Sequence, residues 1–306
     1  MIEKILVPLD GSMNAERVLP HVRRILYRND SEVILVRAAV PAMIEDSGIV
    51  NEAALGAARE YLAGAADRLS RQGVRVQYVV RLGSAAGVIL DVAVGKKATL
   101  IAMATHGETG LKRALFGSVA EAVIRKTPVP VLAVRPFWSY DVLPRKTDNP
   151  EVRPIRNVLL PVDGSPLAEA IVEPITEFAG LFDSRVVLLR VIEPVRPKKG
   201  TLPIADKPLA KKALQPFAKE IEKRGVETLT LVEKGDPTDE ILKATRLHDI
   251  DLIAMTTHGR SGLSRLVTGS VTESVLREAT VPVLIVRSLK QGKAKKSLAT
   301  AGKTKK

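Results

Sequence analysis

The chain repeats itself, and that constrains its fold more than any single motif does. ILVPLDGS at residues 5–12 returns as VLLPVDGS at 158–165, and IAMATHG at 101–107 returns as IAMTTHG at 253–259. GSVAE at 117–121 recurs as GSVTE at 269–273, and PVPVLAVR at 128–135 matches VPVLIVR at 281–287. The offset is 153 residues early in the copies and 152 later, so they differ by one small indel. So long a period signifies two copies of one domain, each able to enclose its own core, and not a short-repeat solenoid.

Within each copy, short apolar runs alternate with longer segments of helical spacing. In the first copy the strand candidates are Ile5–Leu9, Val33–Ala38, Val74–Val80, Thr99–Ala104 and Val129–Val134. In the second they are Val158–Val162, Arg185–Val191, Glu227–Val232, Leu252–Met255 and Pro282–Val286. Val18, Val22, Ile25 and Leu26 illustrate the helical spacing between them. Strands that are apolar on both faces and separated by helices call for a parallel sheet covered on both sides. The expected fold is therefore α/β: two tandem doubly wound domains, each a five-stranded parallel sheet with four helices spread over both faces. In such sheets ligands bind beyond the strand C-termini, where the strand order reverses.

The expected boundaries are 1–135 and 155–287 for the domains, with a linker at 136–154 and a tail at 288–306. The linker carries Pro136, Pro144, Pro150 and Pro154 and reads as extended chain, with Phe137, Trp138 and Tyr140 packing on a domain surface. The copies differ most in the loop after their second strands. That loop is apolar and acidic around 41–51, but proline- and lysine-rich at 194–208. Of the formal charge of +13, seven Lys between 290 and 306 supply more than half. This tail has almost no large apolar residue and is expected to be a disordered, solubilising segment, making at most weak, salt-sensitive contact with RNA, DNA or anionic lipid. With 3% aromatics there is no base-stacking pattern for sequence-specific recognition. No leader-like segment opens the chain, no apolar run nears the ~20 residues needed to span a bilayer, and cysteine is absent. A cytoplasmic protein without membrane insertion is expected.

Chemistry concentrates at two places in each copy. After the fourth strand, Thr105-His106-Gly107 is followed nine residues later by Gly117-Ser118, and Thr257-His258-Gly259 by Gly269-Ser270. Glycines let backbone N–H groups approach a phosphate, and the following helix N-terminus offers free donors and a favourable dipole. Ser118 and Ser270 stand where a hydroxyl either caps the helix or donates to a phosphate oxygen. After the first strand, Asp10 and Asp163 lie in Asp-Gly-Ser turns. Each either accepts from a ribose hydroxyl or adenine amino group, or serves as an Asx turn that starts the helix. Recurrence of both features in both copies favours a nucleotide pocket. Lys112, Arg113 and Arg265 add positive charge to the intervening loops. The Lys-Ser/Thr ending of a Walker loop and a Gly-x-Gly-x-x-Gly after the first strand are both missing, and the four His have no metal-site spacing.

These motifs resemble the universal stress protein family over both copies. The resemblance implies ATP or a related adenine nucleotide as ligand, with Mg²⁺ as a possible companion. Carried over from the family's Gly-x2-Gly-x9-Gly-Ser/Thr pattern, the binding residues are Asp10, Gly107, Gly117 and Ser118 in the first copy. They are Asp163, Gly259, Gly269 and Ser270 in the second. Ala38 and Val191 fall near the position that contacts adenine through its backbone. The first glycine of the pattern is replaced by Ala104 and Thr256, and Thr would resist a positive φ if one were needed there. The resemblance further implies pairing of the two copies through their fifth strands, with a homodimer as a further step. The expected function is a nucleotide-binding stress regulator with slow ATP hydrolysis at most. The alternative is a partner-binding stress protein in which one or both domains lack nucleotide affinity.

Overall fold

The computed structural model describes residues 2–26, 30–40, 47–105, 117–136, 154–164, 166–194, 207–256 and 269–287. The first half runs β1 (Lys4–Pro8), α1 (Met13–Glu16), α2 (Leu19–Leu26), β2 (Glu32–Ala39), α3 (Ser47–Ser70) and β3 (Val76–Leu82). It continues through α4 (Ala85–Gly95), β4 (Leu100–Ala104), α5 (Ser118–Lys126) and β5 (Val131–Val134). The second half repeats this as β6 (Asn157–Pro161), α6 (Pro166–Phe182), β7 (Arg185–Ile192), α7 (Lys207–Glu222) and β8 (Thr228–Lys234). It ends with α8 (Pro237–Leu247), β9 (Leu252–Thr256), α9 (Ser270–Glu278) and β10 (Val283–Val286).

Each half is a parallel sheet of order 3-2-1-4-5, and the two sheets merge into one of ten strands, β3-β2-β1-β4-β5-β10-β9-β6-β7-β8. The seam is the antiparallel pair β5–β10, with Leu284 opposite Leu132 and Val283 opposite Ala133. Because 284 is the counterpart of 132, the pairing has a local two-fold axis through these leucines, the geometry of an isologous dimer within one chain. The expected pairing of fifth strands is therefore present, and it makes a single mixed sheet.

Burial explains why the strands read as uninterrupted apolar runs. Ile5 and Val7 face one layer of helices while Leu6 between them faces the other, and all three are fully buried. Both cores cross the seam: one contains Leu132 and Leu284, the other Val131 and Ile285. Strand ends match the expected ones within two residues.

Two expectations need correction. The first helix of the first copy is broken. Pro20 has no N–H to give Glu16, and its ring crowds that carbonyl, so α1 ends at Glu16 and α2 begins at Leu19. In the second copy the proline falls one position later, at Pro174, and α6 runs through it. The loop assigned to residues 41–51 is shorter, because α3 already begins at Ser47.

Candidate functional site

Strand order reverses between β2–β1 and β4–β5, so the C-terminal ends of β1 and β4 open a crevice at the switch point. Leu9 N–H donates to the Val36 carbonyl at 2.9 Å and continues the β1–β2 ladder beyond Pro8↔Val36. Two residues further, Asp10 stands level with Ala38. The same register, Pro161↔Leu189, sets Asp163 level with Val191. On the other side of the crevice Gly117 N–H donates to the Thr105 carbonyl at 2.8 Å, tying the start of α5 to the end of β4. Asp10, Ala38, Gly117 and Ser118 thus share one sheet edge, as do Asp163, Val191, Gly269 and Ser270. Gly107 and Gly259, with His106, His258, Lys112, Arg113 and Arg265, lie outside the described residues, as do Phe137, Trp138 and Tyr140.

Asp10 forms the Asx turn: its Oδ1 accepts from the Ser12 N–H at 2.9 Å. Ser12 then caps α1 by accepting from the Ala15 N–H at 3.1 Å. Asp10 remains exposed at the strand edge, so the turn does not withdraw it from the crevice.

The serines do not cap. Gly117 and Gly269 occupy the N-cap positions with φ −61° and −60°, neither helix has a side-chain cap hydrogen bond, and Ser118 and Ser270 follow as exposed first residues. The helices α4 and α8 differ. Ser84 accepts from the Gly87 N–H, and Asp236 from the N–H groups of Thr238 and Asp239. Among the described residues, two helix starts at the crevice therefore keep their amide donors clear of any capping side chain, and a phosphate-sized anion fits such a place. Ala104 and Thr256 end their strands, paired with Val134 and Val286, and neither has a positive φ. A β-branched Thr suits that backbone.

The sequence reading missed two arginines beside these turns, Arg37 and Arg190, although the repeat relates them. Gly11, at φ +95°, sits tight against Arg37: a Cβ there would lie 3.1 Å from the guanidinium nitrogens, which would have to give way. Arg37 in turn lies 5.0 Å from the ring centre of Tyr61. The Tyr61 hydroxyl donates to Glu16 at 2.8 Å, and Arg68 pairs with the same carboxylate oxygen at 2.9 Å. Burial, followed by the hydrogen bond to Glu16, holds the Tyr61 phenol well above its ordinary pKa. In the second half Arg190 instead donates to the Val162 carbonyl at 3.2 Å. A further difference lies on the neighbouring strand: Arg81 stands opposite Ala38, whereas Glu233 stands opposite Val191.

A family model for the universal stress protein family matches residues 1–135 and 154–287. The chain belongs to the universal stress protein family. It is a tandem member. A universal stress protein of Mycolicibacterium smegmatis is 24% identical over 305 residues, spanning 92% of this chain and 96% of that one. One from Methanocaldococcus jannaschii is 30% identical over 143 residues, 44% of this chain and 84% of its own length. A solved universal stress protein of Archaeoglobus fulgidus shares the fold across both halves, with a TM-score of 0.72 at 22% identity, covering 93% of this chain and 98% of that chain. Among the described residues of this tandem stress protein, no helix is long and apolar enough to cross a membrane.

Proposed function

We propose that this tandem universal stress protein is a nucleotide-responsive regulator whose halves hold ATP or a related adenine nucleotide, with Mg²⁺ as companion to the phosphates. One observation carries the reading. In both halves the helix after β4 or β9 starts on a glycine without a side-chain cap, across the switch-point crevice from an exposed or half-exposed aspartate. Phosphate on the helix N-terminus and ribose or base against Asp10 and Ala38 is the arrangement these groups suit. Slow hydrolysis at most accompanies binding. The first half is the tighter site in this reading, because Arg81 adjoins Ala38 where Glu233 adjoins Val191.

Titration calorimetry of ATP with Mg²⁺ into the full chain tests this, alongside Gly117→Ala and Gly269→Ala. Both glycines have ordinary negative φ, so alanine strains neither backbone, and the Tm of each variant checks that the helix start survives the poorer N-cap residue. The expected result is at least a tenfold loss of affinity with Gly117→Ala and a smaller loss with Gly269→Ala. No binding heat in the unaltered protein overturns the reading. It then leaves the second one, a partner-binding stress protein, which Glu233 already favours for the second half. Association of whole chains into a homodimer belongs to the same proposal, and light scattering that returns a one-chain mass refutes that part.

A further inference from the structure

The seam between the halves is two-fold in its backbone but not in its charges. Arg24 on α2 reaches across to Asp251, just before β9, at 3.0 Å, with 14% and 4% of the respective side chains exposed. Arg24 also donates to the Pro154 carbonyl at 3.2 Å. The two-fold exchanges position 24 with 177 and position 251 with 99. Hydrogen bonds confirm the second exchange. Asp251 Oδ2 accepts from the N–H groups of Arg156 and Asn157 at 2.9 and 3.2 Å. Thr99 Oγ1 accepts from those of Glu3 and Lys4 at 2.9 and 3.0 Å. The counterpart of the Arg24–Asp251 bridge is thus Glu177 with Thr99, and both line one pocket at the seam beside Ile2, Phe178 and Leu284.

We propose that the Arg24–Asp251 bridge is a pairing code: it makes the first half dock on the second and disfavours docking of either half on a copy of itself. Two first halves paired through β5 would set Arg24 against Thr99 at both contact points, leaving two largely buried guanidiniums without a carboxylate. Two second halves paired through β10 would set Glu177 against Asp251 twice, carboxylate against carboxylate. Only the unlike pair brings Arg24 to Asp251. The seam's other end adds to this for the first half. Arg287 donates to the Lys126 carbonyl at 3.3 Å, and its counterpart Arg135 feels the charge of Glu278, the counterpart of Lys126. Self-pairing of first halves would exchange that carboxylate for Lys126. Self-pairing of second halves would bring Glu278 to Arg287, an exposed and screened contact that does not relieve the repulsion felt by the buried Asp251.

The test rewrites the code in the full chain. Thr99→Asp copies the residue of the second half, keeps an acceptor for Glu3 and Lys4, and gives the first half both members of the bridge. Its new carboxylate also faces that of Glu177. Thr99→Asp alone is expected to lower Tm by several degrees, whereas Thr99→Asp with Asp251→Thr, which moves the carboxylate from the second half to the first and so favours like pairing, is expected to add a concentration-dependent species of twice the wild-type mass in light scattering. Thr99→Asp with Glu177→Arg installs a second bridge across the seam. It is expected to keep the wild-type mass and to melt above the wild type by about 2–4 °C. A mass distribution for Thr99→Asp with Asp251→Thr identical to wild type at every concentration overturns the proposal, and so does a Thr99→Asp, Glu177→Arg variant that melts no higher than Thr99→Asp. A cycle of Arg24→Met and Asp251→Asn, which retain bulk and the backbone acceptor, is the independent check. Coupled losses of Tm support the code, and additive losses refute it.

Discussion

His21 on α2 is half-buried with its Nδ1 shut off from solvent, and among the described residues that nitrogen has no hydrogen-bond partner. Burial, reinforced by the nearby Arg24 charge, lowers its pKa from 6.5 to about 4. The unfolded chain therefore binds a proton near pH 6.5 that the folded chain refuses until about pH 4. Stability is full above pH 6.5 and falls as pH drops through that window, by about 3 kcal/mol at most. Urea titrations at about pH 7.5 and about pH 4.5 should show this loss, and His21→Leu should shrink it. A pH dependence unchanged in that variant would mean other groups carry it. At Gly11 the backbone and Arg37 act together, so Gly11→Ala combines a positive φ with a 3.1 Å contact. About 1–3 kcal/mol of destabilisation is expected in a denaturant titration. Neither effect was visible in the sequence. His21 looked like any amphipathic-helix residue, and Arg37 looked like a strand residue, because their environments come from partners distant along the chain.

At the scale of elements, helix starts divide into two kinds. α4 and α8 satisfy their own first-turn amides through Ser84 and Asp236, and Asp236→Ala should cost about 1 kcal/mol in thermal unfolding. α5 and α9 start on glycine and leave that role open. Gly117→Asp would supply a cap, so it should leave Tm unchanged or slightly raised while removing the first half's site and leaving only the weaker uptake of the second half in calorimetry. Uptake unchanged in stoichiometry and affinity would place the first half's ligand elsewhere. The strands were legible almost to the residue because both their faces are buried, which writes continuous apolar runs such as Ile5–Val7 and Val186–Leu189. The break between α1 and α2 was not, since Val18, Val22 and Ile25 keep helical spacing across it and only Pro20 marks it. Asp10, Ala38 and Gly117 could be placed at one edge because each lies at or beyond the C-terminus of a strand in a parallel sheet. Whether Ser118 capped its helix depended on a backbone angle at Gly117 that composition does not encode.

For the whole molecule, the two cores that run across the seam imply one cooperative unit. A scanning calorimetry trace of the full chain should show a single transition, and two resolved peaks would mean that the halves melt separately. Arg24 and Asp251 could not be paired from the sequence, being 227 residues apart, and the duplication itself gave no hint that its copies had diverged in charge. Joining β5 to β10 within one chain has another consequence. Two separate single-domain chains meet at a rate and to an extent set by their abundance, whereas here each partner is tethered to the other at an effective concentration fixed by the connecting segment. The ten-stranded assembly therefore withstands dilution, and a cell making few molecules holds it as completely as one making many.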